Sequence, residues 1–243
     1  MGSVDSVIQS SSLDIAEFYI QQKVEGVFLA PFELMQNGRD LTRAIVEHLK
    51  AQNIQVVLID SAYELFPKSS GIDLVSIDNF RAGYTLSMHY LEKQEKRVDF
   101  IMPRFPGETV KLRHRGFYSA LIYHGIQPSP EWSHVYEESD NLGRRLKKNG
   151  VRNIICSNDW IALKLMKQLQ HQGFQIPEDF RIAGFDNSMF AQTCTPGLTS
   201  IDQPCDILAR TAVEIMIKRL SDPDSVPIQY YSDFTLYIRD STS

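Results

Sequence analysis

Long apolar runs are missing from this sequence. No stretch approaches the ~20 consecutive apolar residues that a bilayer-crossing helix needs. The opening MGSVDSVIQS lacks the basic stretch followed by an apolar one that marks a secretory leader. No membrane partner is therefore expected, and the expected compartment is the cytoplasm. Cysteine is scarce: Cys156, Cys194 and Cys205 are odd in number, at spacings that match no zinc pattern. Free thiols in a reducing compartment suit that usage better than a disulfide framework. His48, His89 and His124 have no ligand partner at metal spacing, so neither a metal nor a cofactor is expected. Basic surface is also short, with 25 Lys and Arg against 30 Asp and Glu and a net charge of −5. The runs KLRHR (111–115) and RRLKK (144–148) are too small for a surface that tracks nucleic-acid phosphates, and RRLKK reads as a solvated helix face. Catalytic signatures are absent as well. There is no Gly-x-Ser-x-Gly elbow, no phosphate-cradling glycine loop and no nucleophile–base pair, so an enzyme is not expected.

What is present is ordinary globular composition, 43% hydrophobic and 23% charged over 243 residues, enough for one large α/β unit or two small lobes. Strand-type and helix-type segments alternate along the chain. DLTRAIVEHLKAQN carries Leu41, Ile45, Val46 and Leu49 at the spacing of one helix face. IQVVLID (54–60) is almost wholly apolar, as a parallel strand buried on both faces must be. LVSID, RVDFIMP, RNIICS, FRIAGFD and LTSIDQP read as further strands, with helical segments between most of them. The expected fold class is α/β, with parallel sheets flanked by helices. In such sheets ligands bind beyond the carboxyl ends of the strands. That rule selects Pro31, Phe32, Asp60, Asp78, Pro103, Arg104, Asn158, Asp159, Asp186 and Asn187. Several are carboxylates or amides, each able to hydrogen-bond two hydroxyls of a polyol.

Six ordered pieces carry a family resemblance: VEGVFLAP, LVSIDNFRAGYTLSMHYL, RHRGFYSAL, the block from Ile154 to Ser188, PGLTSIDQP and YIRDSTS. Together they resemble the effector-binding core of LacI/GalR-type transcription regulators, across residues 4–242. The most specific block runs from Ile154 to Pro204: a strand, Asn-Asp, a helix, then GFD and LTSIDQP. The resemblance implies a two-lobed periplasmic-binding-protein-like fold, its lobes joined by three crossings and closing on a ligand. The expected lobes are 1–96 with 203–229, and 97–202 with 230–243. The crossings are expected near Lys96–Val98, Thr199–Pro204 and Ile228–Ser232.

The resemblance also implies site residues. Arg113, three before Gly116, matches the arginine that clamps the effector, with Arg115 the alternative if the loop register slips. Its fork of donors suits vicinal hydroxyls or a carboxylate. Asp186 matches an aspartate that accepts from effector hydroxyls, though a structural turn role is also open. Asn158 matches a pocket amide and Gln203 a hinge-side polar contact. Thr109 and Asp78 match looser wall positions. Trp160 and Phe190 can stack on a sugar ring or simply pack. Asp159 reads as the N-cap of the helix WIALKLMKQLQ.

The sequence departs from the family in what it does not contain. No segment resembles the helix-turn-helix head of such regulators, nor the first strand and helix of the core. That loss is expected to leave an open strand edge in the N-terminal lobe. The position that often carries a stacking aromatic falls near Glu138. The implied function is a sugar-type small-molecule sensor that works as a homodimer and reaches operator DNA only through a head outside this chain. The alternative is a sugar-binding protein of a transport system.

Overall fold

The computed structural model describes residues 14–33, 37–64 and 68–243, so the first residues of the family resemblance, 4–13, lie outside it. Its elements are α1 (14–21), β1 (Gly26–Leu29), α2 (Gly38–Ala51), β2 (Gln55–Ile59), β3 (Asp73–Ile77), α3 (Asn79–Leu91), β4 (Asp99–Met102) and α4 (Glu108–Tyr123). There follow β5 (Ser133–Val135), α5 (Leu142–Lys148), β6 (Asn153–Cys156), α6 (Asp159–His171), β7 (Arg181–Asp186), α7 (Met189–Thr193), β8 (Thr199–Asp202), α8 (Cys205–Ser221), β9 (Gln229–Ser232) and β10 (Leu236–Tyr237). The chain divides into two compact units. Unit 1 runs to Ile77 and takes up Pro204–Ser232; unit 2 is Asp78–Gln203 with Asp233–Ser243. The first boundary thus falls at Ile77/Asp78 and not at 96/97, because α3 packs on α4, β6 and β8 within unit 2.

Unit 1 holds a four-stranded sheet in the order β1-β2-β3-β9, parallel throughout. Among the described residues β1 is an edge strand. Leu41, Ile45, Val46 and Leu49 of α2 form one core with Val56, Leu58 and Leu74, the face read from their spacing. Each such side chain contributes roughly 1.5–3 kcal/mol on burial. The long helix α8 packs on β1, β2 and β3. Its last turn is tied down by Arg219, whose Nε and Nη2 lie 2.8 and 3.0 Å from the Asp73 carboxylate. Asp73 also accepts from the Ile228 amide, joining β9 to the same anchor.

Unit 2 holds a six-stranded sheet in the order β10-β8-β7-β6-β4-β5, parallel except for β10 against β8. One core lies around α5 and α6, with Leu165, Leu169, Phe180 and Ile182. Tyr90 of α3 is buried, its hydroxyl donating to the Ile154 carbonyl of β6 at 3.1 Å. Helices α3 and α4 cross in backbone contact at two glycines. A Cβ on Gly83 would lie 1.9 Å from the Arg113 carbonyl oxygen, and one on Gly116 2.0 Å from that of Phe80. The crossing sets the position of Arg113 relative to α3.

Candidate functional site

Pro31, Phe32 and Asp60, picked by the strand-end rule, lie in unit 1, whereas Arg113, Asp186, Asn158, Gln203, Thr109, Asp78 and Trp160, all implied by the resemblance, lie in unit 2. Four of its parallel strands, β4, β6, β7 and β8, point their carboxyl ends the same way, and the polar groups gather there. Arg113 comes from the first half of α4 and is 3% exposed. Its guanidinium is held on three sides. Nε donates to Asn79 Oδ1 at 2.8 Å, Nη1 donates to the Ser157 carbonyl at 2.8 Å, and the plane stands 4.6 Å over the Phe185 ring. These contacts leave Nη2 aimed at Asp186 Oδ1, 3.6 Å away. A buried arginine with two of its nitrogens already engaged is a fixed donor, with little rotamer freedom left to lose when a ligand arrives.

Asp186 ends β7 with φ +107°, and Asn187 follows with φ +46°. Both lie in the left-handed region that non-glycine residues seldom adopt. Gln203, just after β8, donates its Nε2 to Asp186 Oδ1 at 2.7 Å. Burial pushes the Asp186 carboxyl above its ordinary value, against the pull of the Arg113 guanidinium and the Gln203 amide. Arg113, Asp186 and Gln203 therefore form one cluster of fixed donors and acceptors. Thr109 sits one turn before Arg113 on α4 and is also buried.

The other residues do different work. Asn158 is the N-cap of α6, its Oδ1 accepting from the Ile161 amide at 2.9 Å; it stays beside the cluster because Ser157 before it receives Arg113. Asp78 caps α3, with Oδ1 accepting from the Arg81 amide. Trp160 does not join the cluster. It is 64% exposed and lies under the Lys164 ammonium, 5.2 Å from its ring centre. With Phe190 and Leu163 it lines an open groove of about 1440 Å³ along α6. Arg115, the alternative to Arg113, is exposed.

Sequence reasoning missed Asn79, Phe185, Ser200 and the role of Asp159. Asn79 follows Asp78 in SIDN, but its partner Arg113 is on another helix, and no local pattern joins the two. Asp159 is not the cap of α6. It is the first helical residue, 1% exposed, and accepts from the Ser200 hydroxyl and the Ser188 amide, both at 2.7 Å. Among the described residues no group of three or more His, Cys, Asp or Glu side chains is placed to hold a metal. None of the helices there is long and apolar enough to cross a membrane.

Known proteins share this fold. The periplasmic binding protein-like domain family matches residues 88–242. The "HTH-type transcriptional repressor PurR" of Mannheimia succiniciproducens is 24% identical over 86% of this chain and 61% of its own length. The "NTD biosynthesis operon regulator NtdR" of Bacillus subtilis is 27% identical over 96% of this chain and 70% of its own. The chain thus spans about 60–70% of the length of these two relatives. Among solved structures, the transcription regulator CcpA of Lactococcus lactis superposes with a TM-score of 0.81 over 96% of this chain and 84% of its own, at 24% identity, a likeness of fold. A LacI family regulator from Enterococcus faecium with bound ribose superposes with a TM-score of 0.75 over 94% of this chain and 83% of its own, at 26% identity. The chain belongs to the periplasmic binding protein-like domain family, and its fold is the effector-binding core of LacI/GalR-type regulators.

Proposed function

We propose that this chain senses a small polar effector, a sugar or a close relative of one, for a LacI-type transcription regulator, and catalyses nothing. The observation that carries the reading is the Arg113–Asp186–Gln203 cluster, a fixed fork of donors beside a carboxylate at the strand ends. A hydroxyl-rich ligand can donate to Asp186 and accept from Arg113 Nη2 in one pose. Nothing in the cluster is a nucleophile activated by a base, which supports binding without turnover. The relatives being regulators favours this reading over a transport protein. Operator DNA would be contacted by a separate head, in keeping with the acidic net charge of −5 here. The cytoplasm is the compartment such a role requires.

The effector acts by binding one conformation of the chain better than another, and its differential affinity sets the size of the response. The second partner is another copy of the chain. The exposed Trp160 and Phe190 beside α6, 64% and 68% exposed, support that assignment.

The test is a thermal-shift titration with D-ribose, other pentoses and hexoses, sugar acids and purines. A ligand at about 100 times its Kd adds roughly 2.7 kcal/mol to the folded state, a shift of several degrees in Tm. The expected result is a shift with one ligand class that disappears in Arg113→Ala and Asp186→Ala. A shift that survives both substitutions would place the ligand elsewhere and reject the cluster as its site.

A further inference from the structure

Asp159 sits where the ends of three strands of unit 2 converge. It opens α6 directly after β6, and its side chain lies against β7, where Gly184 leaves room. A Cβ at Gly184 would come within 2.5 Å of Asp159 Oδ1. Oδ2 accepts from the Ser188 amide at 2.7 Å. Oδ1 accepts from the Ser200 hydroxyl of β8 at 2.7 Å, and Ser200 Oγ in turn accepts from the Asn187 amide at 3.0 Å. Both amides that follow Asp186 thus hang on one carboxylate, the first through Ser200 and the second directly. Arg239 holds the same turn from the other side, donating Nη2 to Asn187 Oδ1 at 2.6 Å. These bonds over-determine a turn whose residues 186 and 187 both have positive φ.

We propose that Asp159 is a positioning residue for the effector site: its carboxylate fixes the turn at 186–188, aims Asp186 at Arg113, and loses its hold when it gains a proton. The proposal deepens the effector-site reading above and rests on it. A carboxylate accepts charge-assisted bonds, roughly twice as strong as neutral ones. Once protonated, Asp159 offers the Ser188 amide only a neutral acceptor. If the proton sits on Oδ1, the Ser200 hydroxyl must turn to the Ile201 carbonyl, 3.4 Å away. The groups facing Asp159 are Ser188 of the β7–α7 turn, Ser200 of β8, the Asp186 carboxylate of β7, and the Cys156 and Cys194 thiols. Burial raises the Asp159 carboxyl to about 6, with the Asp186 charge adding and the Ser200 and Ser188 bonds opposing. The proton is therefore exchanged in a range where proteins work.

The test is amide hydrogen exchange on the whole chain between about pH 7.5 and about pH 5, corrected for intrinsic rates. Protection of the Ser188 amide is expected to fall about tenfold across the window, the size of the change from a charge-assisted to a neutral bond. The Ile161 amide, bonded to Asn158 on the same helix end, is the control and should hold steady. In Asp159→Asn, which keeps the shape and cannot titrate, the Ser188 step should vanish. A flat Ser188 profile in the parent chain, or a step that persists in Asp159→Asn, overturns the proposal. D-ribose binding by calorimetry is the second readout. Binding that weakens severalfold at the acid end, in the parent chain and not in Asp159→Asn, supports the proposal. Binding independent of pH in the parent chain overturns it. If ribose binds at no pH, the choice of a ribose-type ligand has failed, and the exchange profile decides the proposal by itself.

Discussion

His89 of α3 is buried with its ring Nε2 2.8 Å from the Thr242 hydroxyl, which bonds onward to Thr199 of β8 at 2.7 Å. Burial lowers its pKa to about 4, with Lys93 and Arg181 adding to the effect. In the unfolded chain the same group titrates near 6.5. The unfolded state therefore binds more protons between those values, and stability falls as pH drops from 6.5 towards 4. The shift of about 2.5 units corresponds to roughly 3 kcal/mol, fully present only above pH ~6.5. Against complete unfolding, which returns its carboxyl to water, Asp159 works in the opposite sense, whereas release of the 186–188 turn alone removes the two bonds that lower its pKa. Its folded value, about 6, lies above the 3.8 of an exposed aspartate, so its contribution falls as pH rises from 3.8 to 6. The two slopes overlap and partly cancel in the parent chain, so single substitutions must separate them. Thermal melts from about pH 4.5 to 7.5 should show His89→Gln less acid-sensitive than the parent chain and Asp159→Asn more so. Equal slopes in all three proteins would rule out both assignments.

At the scale of elements, the α3–α4 crossing is where sequence and packing meet. Alanine is favoured over glycine inside a helix by about 1 kcal/mol, so Gly83→Ala and Gly116→Ala should stabilise either helix alone. The crossing reverses that sign. The added methyl would stand 1.9 or 2.0 Å from a carbonyl oxygen of the facing helix, a contact relieved only by moving the helices apart. Overpacking of this kind costs about 1–3 kcal/mol or more. Both variants should therefore lose denaturant midpoint, and effector binding should drop with it, since the Arg113 Nε bond to Asn79 spans the crossing. A midpoint that rises would mean the helices do not touch here. The same place shows what the sequence could and could not reveal. Helical spacing placed α2, whose Leu41, Ile45, Val46 and Leu49 bury one stripe. No spacing marked β5 and α7, with three and five residues, too short to show a period. Asp186 was marked by its strand end and by the family motif, Arg113 and Gln203 by the motif alone. Asn79 and the role of Asp159 were not legible, because their partners stand on elements distant in sequence. For Asp159, a shift of one residue separates a cap from a strand tie.

On the scale of the whole molecule, the alternation of strand and helix announced parallel sheets flanked by helices, and the family resemblance implied two lobes. The chain folds as two such units, with β10 antiparallel in the second. The boundary at Ile77/Asp78 was hidden because nothing in composition changes there; only the packing of α3 assigns it to unit 2. The surface carries a further message. Along α6, Trp160 and Phe190 present large apolar side chains around one groove, with Met189 beside them at 75% exposure. A monomer gains nothing from leaving these rings in water, whereas a second copy covering them buries apolar surface on both partners. If this face joins two copies, stability depends on concentration, because association pulls the folded state forward by mass action. Tm should rise as the chain is concentrated from about 1 to about 100 µM, and sedimentation should report a dimer at the upper end. Trp160→Glu places a charge at the centre of the covered face, where it would be desolvated without a partner. That variant should sediment as a monomer and melt at a temperature independent of concentration, yet keep the ligand response of the Arg113–Asp186 cluster, which Trp160 does not touch. A parent chain that stays monomeric throughout would reject the homodimer. A Trp160→Glu chain that still dimerises would move the interface to another face of the protein.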